Sequence, residues 1–144
     1  MKSPPASSSA ARATMRANRS RDTGPELALR RELRALGVRY RVDYRGAPGR
    51  PDVALARERV AVFVDGCFWH GCPKCAKPLP KTHRAFWRAK IRRNAERAAE
   101  VTNALRDRGW NVVRIWEHRL RDAASARDAA AFIAGVAAVT GALS

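Results

Sequence analysis

Residues 65 to 75 read "DGCFWHGCPKC", bringing an acid, three cysteines, a histidine and two large aromatic rings into eleven positions. Cys67-x4-Cys72-x2-Cys75 offers three soft ligands, and a structural zinc site needs four. The histidines are His70, His83 and His118. Spacing alone does not choose among them. His118 ends the strand-like "VVRIWEH", which should run beside the strand ending at Asp65, so the expected set is Cys67, Cys72, Cys75 and His118, with His70 left free. A closed four-ligand zinc braces a loop and leaves no open position for water. Any chemistry must then come from elsewhere. Asp52, in "GRPDVAL", and Asp65, ending "VAVFVD", would fall close together on paired strands. Two carboxylates make a workable cradle for Mg²⁺, and a nearby imidazole can accept a proton from water.

The elements that must position these groups are legible in outline. "DTGPELALRRELRALG" has the punctuation of a helix: Thr23 as cap, Pro25 in the first turn, Glu26 three residues after the cap, and Gly37 as the stop. Leu27, Leu29, Leu33, Leu36 and Val38 form its expected apolar stripe. "VRYRVDY" alternates with period two, and "PDVAL" and "VAVFVD" read as strands joined by the charged turn "ARER". The second is nearly all apolar, as a central strand should be. A long helix is predicted from about 84 to 108, with Ile91, Ala95, Ala98 and Leu105 inward and arginines on the other side. "WNVVRIWEH" is a further strand, and "DAASARDAAAFIAGVAAVTG" a closing helix with Phe132, Ile133 and Val136 inward. Trp110 and Trp116 are expected in the core. The order is helix, three strands, helix, strand, helix: one mixed α/β domain from residue 21 to 144. Residues 1–20 are rich in Ser, Ala, Pro and Arg without apolar periodicity, and read as a mobile basic arm.

The chain of 144 residues carries a formal charge of +16 with a pI near 11.4, which points to a polyanionic partner, nucleic acid first. Arginine outnumbers lysine 24 to 5. A forked guanidinium suits phosphate, although a GC-rich genome would produce the same bias. No uninterrupted apolar run approaches the roughly 20 residues a membrane span needs, and no secretory signal is evident. A soluble protein inside the cell, without membrane contact, is expected. All three cysteines lie within nine positions, which favours metal over disulfides.

"MRANRSRDTGPELALRRELRALGVRYRVD", "GRPDVAL", "VFVDGCFWHGCPKC", "PKTHRAFWRAKIRRNAER" and "RGWNVVRIWEHRL" together resemble the very short patch repair (Vsr) endonucleases, from about Met15 to Leu120. The resemblance implies a restriction-endonuclease-like fold, in which a central mixed sheet is flanked by helices, together with a structural zinc and Mg²⁺-dependent nicking of DNA beside a T:G mismatch. By matching position, Asp52 would bind Mg²⁺, with the Val64 carbonyl as a second ligand. His70 would be the general base and Glu26 an acid that helps to orient it. Phe68, Trp69 and Trp87 would wedge into the duplex, and Met15 would enter from the other groove. A T:G wobble stacks poorly, so opening it costs less, and wedging rings recover roughly 1–3 kcal/mol of stacking per base. Mismatch-repair proteins as partners, a nucleoid-associated cytoplasmic location and a monomeric state are implied in the same way.

Four positions depart from the family pattern. A histidine usually stands where this chain has Cys72 and a cysteine where it has His118, an exchange that preserves Cys₃His. Position 65 commonly carries a second catalytic-site histidine; Asp65 takes away that imidazole's role on the phosphate and could instead bind the metal directly. An acid found in the long helix of some members corresponds to Ala98. Two other readings fit the composition: a zinc-stabilised DNA-binding module without catalysis, and a restriction-associated nuclease of the same fold with another target.

Overall fold

The computed structural model describes residues 22–143. The basic arm and Met15 lie outside them. Helix α1 spans Gly24–Ala35, β1 Arg41–Val42, β2 Val53–Leu55, β3 Val60–Asp65, α2 Arg84–Asp107, β4 Asn111–Trp116, and α3 Ala123–Leu143, with a 3₁₀ turn at Glu117–Leu120 after β4. The predicted order of elements holds throughout.

The sheet runs β1-β2-β3-β4. β2 and β3 pair antiparallel, with Val53 opposite Val62. β3 and β4 pair parallel, with Asp65 opposite Trp116. The parallel pair is what the 24-residue α2 makes possible, because parallel strands need a long crossover. It also carries the residues after β3 and after β4 to the same end of the sheet, as the sequence led us to expect.

One core lies between the sheet, α1 and α3. It contains Leu29 and Leu33 of α1, Val53, Leu55, Val60 and Val62 of the strands, and Ala126, Ala130 and Ile133 of α3. The other face is thinner, with Ala47, Phe63 and Leu105 buried and Trp110 packed against them. Trp116 is half-buried.

Several expectations are corrected here. In α1 only Leu29 and Leu33 of the leucine set are buried; Leu27 and Leu36 face solvent, because a 12-residue helix lying on a sheet buries a narrow stripe. In α2, Leu105 is buried and Ile91 and Ala98 are half-buried, but Ala95 is exposed. In α3, Phe132 is 62% exposed while Ile133 is fully buried. Adjacent helical residues are about 100° apart, and Phe132 falls on the side of Ile133 that turns away from the core. The first strand shrinks to two exposed residues, since Asp43 takes a left-handed φ of 47° and breaks the extended chain. Finally, among the described residues α3 is long and apolar enough, over Ala123–Gly141, to cross a bilayer by length and composition alone. Arg127 and Asp128 interrupt the sequence there, and Ala126, Ala130 and Ile133 are committed to the core.

Thr23 caps α1: its Oγ1 accepts from the Glu26 amide at 3.4 Å. The Glu26 carboxylate reaches back one residue further than a capping box requires, accepting from the Asp22 amide at 2.9 Å. Helix α3 has a comparable cap, in which Asp122 accepts from the Ser125 amide at 2.8 Å.

Candidate functional site

At the end of the parallel pair the chain builds two centres within a few residues of each other. The first is the cysteine knuckle. The Sγ atoms of Cys67, Cys72 and Cys75 lie 3.4, 3.7 and 3.4 Å from Nδ1 of His118, and all four ligand atoms fall within 4.8 Å of one another. Tetrahedral zinc with ordinary Zn–S and Zn–N bonds places sulfur and nitrogen about 3.6 Å apart. The cluster therefore fits such an ion, and it uses the histidine expected from strand order. His118 belongs to the 3₁₀ turn rather than to β4. Glu117 beside it accepts from the Cys67 amide at 3.1 Å and ties the two loops together. Burial pushes the Cys67 thiol up to about 11, so metal loading must displace a proton there.

The second centre is a cleft of about 740 Å³. Glu26, Asp52, Val64, Asp65, Trp69 and His70 all line it. Asp52 sits just before β2, and its Oδ2 accepts from the Val64 amide at 2.7 Å. This bond crosses the β2–β3 pair and holds both residues at one edge of the cleft. Burial is the main reason that the Asp52 carboxyl is raised to about 7; the Val64 bond opposes the rise, and the charges of Glu26 and Asp65 add to it. Glu26 and Asp65 are themselves raised, again chiefly by burial. Three acids held out of water in one cleft make an oxygen-rich, charge-hungry surface suited to a hard divalent cation.

His70 lies outside the sulfur cage, with Nε2 3.8 Å from Asp65 Oδ1. Burial is the first cause lowering its pKa, and Asp65 opposes that shift. A neutral imidazole is the form that accepts a proton. The short loop that carries it turns at Gly71, where φ is +64°. A Cβ at Gly71 would stand 2.9 Å from Ile91 Cγ2, so this position needs both the left-handed backbone and the missing side chain.

Phe68, Trp69 and Trp87 form one edge-to-face cluster with Phe86, with ring centroids 5.2–5.9 Å apart. Phe68 and Trp69 are half-exposed, whereas Trp87 is 4% exposed and forms their floor. Asn94 of α2 donates to the Trp69 carbonyl at 2.8 Å and fixes the loop from the helix side.

Arg114 also lines the cleft, and nothing in the sequence motifs singles it out. It donates to Asp65 Oδ1 at 3.0 Å inside the cleft. One signal was available: a lone charge inside the apolar strand "VVRIW" is rarely idle, because burying it is costly unless it is paired. Arg30, also on the cleft wall, pairs with Asp22 at 2.6 Å and gave no comparable signal on its exposed-looking helix.

Buried acids, a neutral imidazole and a basic surround have the makings of a phosphodiester-cleaving α/β protein. A profile of the family described as DNA mismatch endonuclease Vsr matches residues 6–77. The type II nicking enzyme V.NaeI of Lentzea aerocolonigenes is 46% identical over 118 residues, covering 78% of this chain and 70% of that protein. The nicking enzyme V.NmeDIP of Neisseria meningitidis serogroup C is 47% identical over 105 residues, 72% of this chain and 71% of its own length. The DNA mismatch endonuclease Vsr of Escherichia coli K12 is 38% identical over 107 residues, 74% and 69% respectively. The chain belongs to the Vsr family of DNA endonucleases.

Proposed function

We propose that this protein nicks one strand of duplex DNA on the 5′ side of the thymine in a T:G mismatch. The observation that carries the reading is one cleft wall holding Asp52, Val64, Asp65, Glu26 and His70, with the half-exposed Phe68–Trp69 pair beside it. The basic arm and the arginines of α2 would hold the duplex through its phosphates. Phe68 and Trp69, supported by Trp87, would enter beside the mispaired base, with Met15 from the opposite groove.

Asp52 and the Val64 carbonyl are the proposed Mg²⁺ ligands; when bound, the ion supplies Lewis-acid polarisation of the scissile phosphate. His70 takes the proton from the attacking water. Glu26 lines the same cleft, and its proposed part is to help orient His70. The products are a 3′-hydroxyl and a 5′-phosphate on the thymine side. In the knuckle, zinc held by Cys67, Cys72, Cys75 and His118 fixes the His70 loop and takes no part in bond breaking.

Relatives named as type II nicking enzymes favour a second reading, in which the chemistry is the same and the target is restriction-associated. A single experiment separates them. Purified protein with Mg²⁺ is given supercoiled and oligonucleotide duplexes carrying T:G, other mismatches or only matched pairs. Nicking 5′ of the thymine in T:G alone supports the proposal, equal nicking of matched sites supports the second reading, and no nicking of any duplex by zinc-loaded protein removes both. A His70→Ala protein that binds the duplex and still cuts at the wild-type rate takes the proton-accepting role away from His70.

A further inference from the structure

The cleft holds a guanidinium that the reaction above leaves unused. Arg114 lies in the middle of β4 and is anchored on three sides. Its Nε donates to Thr102 Oγ1 at 2.8 Å, its Nη2 to the Ala98 carbonyl at 2.9 Å, and its Nη1 to Asp65 Oδ1 at 3.0 Å. Its plane also rests over the Phe63 ring, 4.2 Å from the centroid. Thr102 and Ala98 are one turn apart on α2, so this one side chain joins the helix, β4 and the end of β3. A planar fork held at three different nitrogens has no rotamer freedom left. The position of Asp65 Oδ1 follows from it.

That same oxygen is the one facing Nε2 of His70 at 3.8 Å. We infer that Asp65 is a positioning residue for His70, pinned by Arg114, and not a ligand of the catalytic Mg²⁺; this rests on His70 being the base. An acceptor opposite Nε2 selects the tautomer with its proton on Nε2 and leaves the lone pair on Nδ1 to take the proton of water. The present separation is longer than a hydrogen bond, as such contacts commonly are before substrate closes the site. The charge balance agrees. The Asp65 carboxylate already has a cation bonded to it, whereas Asp52 accepts from the neutral Val64 amide.

The test uses full-length, zinc-loaded protein and the duplex that the wild type nicks. Asp65→Asn and Arg114→Met should each lower kcat about tenfold to a hundredfold, with the KM for DNA and the half-saturating Mg²⁺ concentration within about twofold of wild type. The double variant should be no slower than the slower single one, and Arg114→Lys should recover part of the loss. A rise of about tenfold in half-saturating Mg²⁺ for Asp65→Asn would make it a metal ligand and overturn the proposal. So would losses that multiply in the double variant. Should Arg114→Met fail to fold, Thr102→Val removes one anchor only: a smaller kcat loss with KM unchanged supports the proposal, and wild-type kcat overturns it. His70→Ala is assayed alongside. Wild-type nicking there sinks the base assignment itself, whereas an inactive His70→Ala with fully active Asp65→Asn and Arg114→Met sinks only the positioning role.

Discussion

Asp52 shows how much one residue's surroundings can do. Its carboxyl is raised to about 7, so the fold without a metal favours the protonated form. The sign follows directly: stability from this group is fully present below the unfolded value of 3.8 and is lost as pH rises through about 7. In Mg²⁺-free buffer Asp52→Asn should therefore melt above wild type at pH 8, with the gap closing toward pH 5, as thermal scans across pH would reveal. On the proposed mechanism, Mg²⁺ and the proton compete for the same oxygen atoms. The Mg²⁺ concentration giving half-maximal nicking should rise about tenfold per pH unit below 7, one proton being displaced per ion. Asp52→Asn should lose nicking while keeping duplex affinity. Much of this centre was visible beforehand in "GRPD" and "DGCFWHG", but the charge environment was not. Arg114 comes from a strand 49 residues beyond Asp65, and only folding brings the two together.

Among the elements, β3 and α3 teach opposite lessons. β3 was readable because an apolar run flanked by turns has one sensible place, the middle of a sheet. α3 was only partly readable. Its composition is almost uniformly small and apolar, so the pattern that tells inside from outside is weak: Ile133 is inside and Val136 packs beside it as expected, but Phe132 points outward. The correction is measurable. Ile133→Ala should cost about 2–5 kcal/mol in chemical denaturation, whereas Phe132→Ala, at an exposed position, should change stability by less than about half a kcal/mol. The cap of the same helix behaves as an ordinary acid contact. The Ser125 amide and hydroxyl hold the Asp122 carboxyl below its usual range, so this contribution is present above pH 3.8 and fades as pH falls through the lowered value. The first strand was overread because alternation alone did not register the left-handed turn at Asp43.

For the whole molecule, the parallel pairing of β3 and β4 matters most. It sets the Cys67 and His118 loops together and, through α2, lays Arg114 against Asp65. The Cys₃His ligand set could be anticipated because a strand order with His118 beside Asp65 was the simplest one. With a charge of +16, duplex affinity should fall steeply and linearly on a log–log plot against salt, and truncating residues 1–20 should make that slope shallower. Titration at several ionic strengths checks both statements.

Asp65 ends β3, and Cys67 is only two positions further along the same backbone. A thiol oxidant that never approaches the DNA would therefore still disarm the enzyme: as the sulfurs are consumed, the tether holding the imidazole slackens. Peroxide treatment of zinc-loaded protein should abolish cutting in step with release of the ion, and reductant plus fresh Zn²⁺ should bring both back together.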